Sequence, residues 1–588
     1  MTEAEAGATE GAEVPRIGVF ICHCGHNIAG TVDVEAVAKM GESLPYVEYS
    51  THFMFMCADS GQQLIKEKIA EHNLNRVVVA SCSPRMHEPT FRKVVEEANL
   101  NRYLFEQVNL REHVSWCHMR EPLAATEKAA DLVRMAVARA ALLESLPIKT
   151  VEVEPVVLVV GGGVTGLRAS LDVADRGFNV VLVEKDSSLG GHVAKLASVY
   201  PTAEKGTTLT EGLIKRVEKH PQIKVLTNSK VADLDGYIGN FDIRTETDGK
   251  EESHRVGTII IATGIEPFKP VGYYAYGEHP DILTLAEVEE MRLKGEVLRP
   301  SNGKPPKTLA YIGCVASREA GVKGHEHCSR VCCTAVAKSA GEMKDSTDEV
   351  VILYEDLRTY GRGHEAIHRE ARHKHVIYSK FPPDKKPEVE VAGNKIRIHW
   401  HDVFSNDKLV FEPDMLVLAS GMVPPEGIDE VAKTFSLTRS PDGFFNPEHV
   451  KLAPLTTHTA GIMIAGGAQA AKSAAEAITD ASGAAAKAVG LMARGEVEIE
   501  STVSNVIEEL CSSCHTCITA CPYGAISMDE SKDTPIALVT EAKCHGCGTC
   551  AAACPSSAIV MLHSTDDQIM AMVEAYLTTY GESEGGAA

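Results

Sequence analysis

Near the carboxyl end of the chain the run CSSCHTCITACP sets out Cys511, Cys514, Cys517, Cys521 and Pro522, and a second run, CHGCGTCAAACP, repeats the pattern with Cys544, Cys547, Cys550, Cys554 and Pro555. No other stretch limits the fold as much. A doubled C-x2-C-x2-C-x3-C-P spacing binds two [4Fe-4S] clusters, and the fourth cysteine of each run crosses to the other run's cluster. Cys511, Cys514 and Cys517 are therefore expected to share a cluster with Cys554, and Cys544, Cys547 and Cys550 one with Cys521.

The other cysteines must be read in a redox context. The N-terminus, MTEAEAGATEGAEV, is acidic and has neither the basic nor the apolar region of a signal peptide, so the expected compartment is cytoplasmic. There thiols stay reduced, and seventeen cysteines in 588 residues point to metal rather than disulfides. A formal charge of -23 argues against nucleic-acid or anionic-membrane partners, and no apolar run is long enough for direct membrane insertion.

Upstream, VVLVVGGGVTGLRASL places Gly161, Gly163 and Gly166 between a strand and a helix, with Glu184 ending the next strand. These glycines permit a tight turn and close approach of a pyrophosphate to the helix N-terminus, while the acid accepts from an adenosine ribose. A second glycine turn (Gly190, Gly191, then His192), the turn Ala262-Thr263-Gly264 after TIII, and a closing segment containing Gly466, Gly467, Ala468 and Gln469 complete the pattern for FAD. The acid usual in the closing segment is replaced by Gly467. Between these motifs, where a second nucleotide domain belongs, TLAYIGCV runs into no glycine loop. Instead Cys314, Cys328, Cys332 and Cys333 form a C-x13-C-x3-C-C pattern that suits one more cluster, against the alternative of small buried hydrophobes. A cluster there would stand where a nicotinamide otherwise reaches the flavin. Lys338 follows on the helix leaving it, and from the residues alone it reads as a solvated lysine.

Residues 15–146 alternate short apolar strands with helical stretches, as a small parallel sheet does. Cys24, Cys57, Cys82 and Cys117 each fall just past the carboxyl end of an expected strand, the edge where open parallel sheets bind ligands. They are candidates for another [4Fe-4S] site, with Cys22 as an alternative ligand and inert buried thiols as the plainer reading. The expected organisation is a disordered tail (1–14), this domain (15–146), a flavin-binding first part (155–305), a degenerate NAD(P)H-like domain with the cysteine cluster (306–425), a flavin-binding closing part (426–495), a two-cluster domain (505–565) and a terminal helix and tail (566–588). In fold class this is α/β: a thioredoxin-reductase-like two-dinucleotide-domain flavoprotein between a small parallel α/β domain and a 2[4Fe-4S] ferredoxin domain.

The combination of VFICHCGHNIAG, VVVASCSPRMHEPTF, LFEQVNLREH, CSRVCCTAVAK, the flavin fingerprint and the doubled cluster motif resembles the A-type polypeptides of heterodisulfide reductases over nearly the whole chain. That resemblance implies FAD, about four [4Fe-4S] clusters and flavin-based electron bifurcation or confurcation. It implies as partners HdrB/HdrC-like subunits, a hydrogenase or formate dehydrogenase linker subunit (MvhD-like) and ferredoxin, in a homodimer within a larger complex. It also assigns Cys314, Cys328, Cys332 and Cys333 to a cluster near the flavin and Lys338 to the flavin N5. Two departures stand out: residues 192–307 hold no cysteine, so the inserted ferredoxin of some relatives is missing, and Val114 follows the Arg-Glu-His triplet where a cysteine is common. Two other readings remain in view: an NAD(P)H-dependent oxidoreductase of the glutamate-synthase small-subunit type, and a relay scaffold that does not bifurcate.

Overall fold

The computed structural model describes residues 13–319 and 325–584; most of the expected N-terminal tail and the last four residues lie outside them. The described residues form two compact units, one of residues up to 149 together with those from 498 onward, the other of residues 150–497.

The first unit is built on the strand Ile17–Cys22, buried along its whole length. It lies in a four-stranded, all-parallel sheet in the order Val47–Phe53, Ile17–Cys22, Arg76–Ser81, Phe105–Asn109. Parallel neighbours need crossover connections, and the helices Val34–Gly41, Asp59–Glu71 and Pro84–Glu97 supply them. The first of these starts where the Asp33 carboxylate accepts the Ala36 N–H at 3.0 Å, an N-cap. Successive strand residues point to opposite faces, so Val19, Ile21 and Val78 pack on the helix Pro122–Ala141 while Phe20, Val77 and Val79 pack on Phe91 and Val94. Both faces are therefore covered, and only the strand ends stay open. After Phe105–Asn109 the chain makes a π-helical turn, Arg111–Ser115, a local departure that recurs at functional sites.

The cluster-motif domain belongs to the same unit. It has the antiparallel pairs Ser504–Val506 with Ile559–Met561 and Ile526–Asp529 with Ile536–Val539, and the short helices Thr516–Ala520 and Thr549–Ala553. Polar contacts fasten it to the parallel-sheet domain. Arg139 pairs with Glu106 at 2.8 Å and donates to the carbonyl of His563. The Tyr103 hydroxyl accepts the Ser501 N–H at 3.1 Å, and the His563 ring meets the Tyr103 carbonyl at 2.9 Å. The terminal helix, Asp566–Glu584, lies along Pro122–Ala141, with Gln568 Nε2 donating to the Leu142 carbonyl at 2.9 Å.

The second unit repeats one plan twice. A parallel sheet ordered Ile462–Ile464, Thr258–Ile261, Val156–Val160, Asn179–Val183, Ile223–Leu226 carries a three-stranded antiparallel flap of Ser229–Tyr237, Asn240–Thr247 and Lys250–Val256. A second parallel sheet, ordered Ile282–Thr284, Met415–Ser420, Thr308–Val315, Glu349–Tyr354, Ile377–Lys380, carries its own flap of Glu388–Ala392, Lys395–His401 and Lys408–Phe411. Glu266–Pro267 pairs with Met422–Val423 where the chain passes between the two. The strand Ile282–Thr284 joins the second sheet from ahead of residue 306, so the boundary expected there falls among that sheet's own strands. Among the described residues no helix is long and apolar enough to cross a membrane.

Candidate redox centres

A cavity of about 630 Å³ opens at the carboxyl ends of the first dinucleotide sheet. Gly161, Gly163, Glu184, Gly191 and His192 line one part of it, Ala262, Thr263, Gly264 and Gly467 another, and Cys332 and Lys338 a third. The glycines are needed for space. A Cβ on Gly161 would stand 2.3 Å from the Ala262 carbonyl oxygen, and one on Gly166 only 1.8 Å from the Gly161 oxygen, so the first turn and its helix touch backbone to backbone. Gly163 caps the helix Val164–Ala174 without a side chain, leaving its first N–H groups bare for an anion. Glu184 is buried, its carboxylate accepting the Gly162 N–H at 2.5 Å and the Asp186 N–H at 2.8 Å. The Thr263 hydroxyl is buried in the cavity wall with no partner, a polar group that a bound dinucleotide would satisfy. Cradle, acid and orphan hydroxyl fit FAD.

Other expected residues support this wall from behind. Gly190 takes the left-handed conformation, φ 111°, that turns the chain back toward Gly163. Ala468 is buried, its carbonyl accepting the Phe445 N–H, and Gln469 is held by the Pro454 carbonyl and Lys472. Gly467 has a steric reason: a Cβ there would lie 2.8 Å from the Gly264 carbonyl carbon. Behind that turn Asp480 accepts the Gly466 N–H at 3.2 Å and pairs with Lys472, which lines the cavity. Sequence inspection overlooks Asp480 because it sits a helical stretch beyond the motif.

The exchanged loop meets the same cavity. In the helix Cys332–Met343, residues 332, 335 and 338 fall on one face, and all three line the cavity. Lys338 is not solvated. Its Nζ donates to the Ser198 carbonyl at 2.5 Å and pairs with Glu289 Oε2 at 3.2 Å, the two side chains being 9% and 6% exposed. Glu289 also takes Arg292 at 2.7 Å, which in turn holds Glu342. Glu289 is a second residue that sequence inspection misses, since a helical glutamate carries no signal until its burial is known.

Cys314, Cys328, Cys332 and Cys333 lie within electrostatic reach of one another. The strand Thr308–Val315 is irregular beyond Ile312, and Cys314 there has φ 58°. Burial, reinforced by neighbouring thiols, pushes Cys314 up to about 12, and raises Cys332 and Cys333 as well. Thiolates crowded this way need a cation to ionise together.

In the first unit Cys22, the last residue of its strand, gathers with Cys24, Cys57 and Cys82 just past the strand ends, with burial pushing Cys82 up to about 12. Cys22 Sγ accepts the N–H of Cys24 at 3.3 Å and of Met56 at 3.4 Å. Arg111 reaches Cys24 Sγ at 3.7 Å and lies over the Trp116 ring. Cys117 is exposed, its thiol turned to the Glu112 carbonyl at 3.0 Å. In the cluster-motif domain, Cys511, Cys514, Cys517 and Cys554 line one small cavity, and Cys521, Cys544, Cys547 and Cys550 another. Backbone N–H groups of Ala525 and Ala558 point at the crossing sulfurs, Cys521 at 3.4 Å and Cys554 at 3.3 Å. Among the described residues no three ligands converge on a single-ion site. A cubane differs in spreading its thiolates over separate irons.

Comparison with known proteins agrees with this geometry. Residues 155–481 match the pyridine nucleotide-disulphide oxidoreductase family model, and residues 510–558 that of the 4Fe-4S dicluster domain. The A-type polypeptide of the H(2):CoB-CoM heterodisulfide,ferredoxin reductase of Methanothermobacter thermautotrophicus is 39% identical over 613 residues, covering 90% of this chain and 93% of that protein. Its counterpart in the H(2)/formate:CoB-CoM heterodisulfide,ferredoxin reductase of Methanococcus maripaludis is 35% identical, over 89% and 92%. That of the Ferredoxin/F(420)H(2)-dependent CoB-CoM heterodisulfide reductase of Methanosarcina acetivorans is 34% identical, over 88% and 76%. Among solved structures, T. acidophilum thioredoxin reductase aligns with 57% of this chain and 99% of its own at 18% identity and a TM-score of 0.42. With its flavin-binding double-dinucleotide fold and its iron–sulfur domain, the chain belongs to the A-type family of heterodisulfide reductase polypeptides and is an oxidoreductase component that transfers electrons through FAD and [4Fe-4S] clusters.

Proposed function

We propose that this chain performs FAD-based electron bifurcation, or confurcation in the reverse direction, between a two-electron donor module, ferredoxin and a disulfide-reductase-type acceptor of the HdrB/HdrC kind. The observation that carries the reading is the helix Cys332–Met343, which brings both a thiol of the four-cysteine group and, nearly two turns on, Lys338 to the wall of one cavity. Bound there, FAD supplies the exchange between electron pairs and single electrons.

The chain's own residues set the conditions for that exchange. Cys314, Cys328, Cys332 and Cys333 would hold a cluster beside the cavity, which Cys332 lines, and such a cluster would supply one-electron chemistry on that side. Ser198 and Glu289 fix the Lys338 Nζ in the cavity wall, from where it would be offered to a bound flavin. The crossed cysteine sets of the final domain hold two further clusters, and Cys24, Cys57 and Cys82 hold one more with Cys22 or Cys117. The names of the relatives join H2, formate, F420H2 and ferredoxin to the CoB–CoM heterodisulfide. This supports a donor such as a hydrogenase or formate dehydrogenase, reached through an MvhD-like linker, with the chain as a homodimer within a larger complex.

The test is coupling. In the anaerobically purified complex, with its donor supplied, ferredoxin and the disulfide acceptor should be reduced in equal electron amounts, and withholding the acceptor should stop ferredoxin reduction. Ferredoxin reduction that continues without the acceptor identifies a simple relay and ends the proposal.

A further inference from the structure

We propose that the second dinucleotide domain carries a separate site for a small aromatic anion, a ring bearing a phosphate or carboxylate, between the helix His364–His373 and the edge of its sheet. A cavity of about 530 Å³ opens there, within the size range of small-molecule sites, and it shares no lining residue with the flavin cavity. His368 and Arg372 stand one helical turn apart on the same face of that helix, and His375 follows it. The opposite wall is Tyr354, ending the strand Glu349–Tyr354, and Tyr378, in the neighbouring strand Ile377–Lys380.

Three features point to the ligand's chemistry. First, in a chain of net charge -23, this cavity is lined by an arginine and two histidines and by no carboxylate. Among the described residues Arg372 makes no ion pair, so its planar fork is available to an oxyanion. Second, the Tyr378 hydroxyl and His368 Nδ1 are buried without a hydrogen-bond partner, Glu365 Oε1 standing 3.7 Å from the latter. A bound polar ligand would supply the partners these atoms lack. Third, three of the six other lining residues, Tyr354, Tyr378 and Phe404, are aromatic, beside Leu357, Val376 and Ile377. The His368 and Tyr378 rings meet edge-on at 4.8 Å, and Phe404, 75% exposed, stands at the mouth. A planar ring would lie over this aromatic surface, with its anionic group toward Arg372.

The site is placed to be felt by the flavin-side thiols, because Tyr378 lies within electrostatic reach of Cys333. This inference stands apart from the bifurcation reading, since binding is measured on the resting holoprotein.

The experiment is anaerobic calorimetric titration of the holoprotein with AMP, adenosine and inorganic phosphate. AMP is expected to bind in the micromolar-to-millimolar range and at least about tenfold more tightly than either fragment. Arg372→Gln should weaken AMP about 10- to 100-fold, the value of a charge-assisted hydrogen bond, and Tyr378→Phe a few-fold. Both variants should keep wild-type flavin and iron content. Failure of AMP to bind overturns the proposal, as does AMP binding that Arg372→Gln leaves unchanged, or phosphate alone binding as tightly as AMP.

Discussion

Lys338 and Glu289 form a buried ion pair in the wall of the flavin cavity, and removing either charge tests whether they act as one unit. At 3.2 Å and an effective dielectric near 20, Coulomb's law gives about 5 kcal/mol of gross attraction. The cost of desolvating both groups offsets roughly half of this, and Glu289 shares its charge with Arg292, leaving a net coupling of about 2–3 kcal/mol. Lys338→Met preserves length and packing but leaves a buried carboxylate with one cation, and should cost about 3 kcal/mol. Glu289→Gln should cost a similar amount. In the double variant Arg292 still holds Glu342, so the two losses should fall short of adding by the coupling energy. The assay is the urea midpoint of flavin release from the anaerobic protein, converted to free energy for all four members of the cycle. Losses that add within about 0.5 kcal/mol would refute the pairing. The flavin role is a separate question: Lys338→Met with wild-type flavin potentials would remove Lys338 from the flavin while leaving the pairing intact.

Other consequences are more local. Gly166→Ala puts a Cβ 1.8 Å from the Gly161 oxygen, so it should destabilise the flavin domain by about 3 kcal/mol and lower the flavin-to-iron ratio while cluster absorbance persists. If the fourth cysteines cross, Cys514→Ser with Cys554→Ser should lose no more iron than either alone, about four atoms, whereas Cys547→Ser with Cys554→Ser should lose about eight. Iron analysis also separates the candidates for the N-terminal ligand set: Cys22→Ser should lower iron and Cys117→Ser should not, because Cys22 is gathered with the other thiols while Cys117 is exposed and donates to the Glu112 carbonyl. His563 is held neutral by burial and by Arg139, its pKa lowered from 6.5 to about 4. The unfolded chain therefore takes up this proton first as pH falls, so stability present above 6.5 is lost between 6.5 and about 4, by about 3 kcal/mol. His563→Gln should flatten that part of a pH–stability profile; an unchanged slope would refute the assignment.

Sequence signals suffice wherever the chemistry is local. The doubled cluster motif and the strand–glycine turn–helix of the flavin site each depend on residues close in sequence, whose backbone needs are stated by the residues themselves. Hence the two-domain flavoprotein fold with its iron–sulfur domain could be stated from the sequence. Lys338 reads as solvated for the opposite reason. Its environment is made by Ser198 and Glu289, residues from two other segments, and no periodicity announces a contact of that kind.

Sequence alone determined which cofactors this chain takes, because spacing among cysteines and glycines is a covalent property that survives any folding detail. Tertiary structure decided which distant groups meet: Cys22 with Cys57 and Cys82, Asp480 at the Gly466 N–H, the terminal helix along Pro122–Ala141, and Glu289 against Lys338. Such meetings follow from how sheets and helices pack their apolar faces. Packing places polar groups together, or leaves them unpaired as at Tyr378, without any mark on the local sequence.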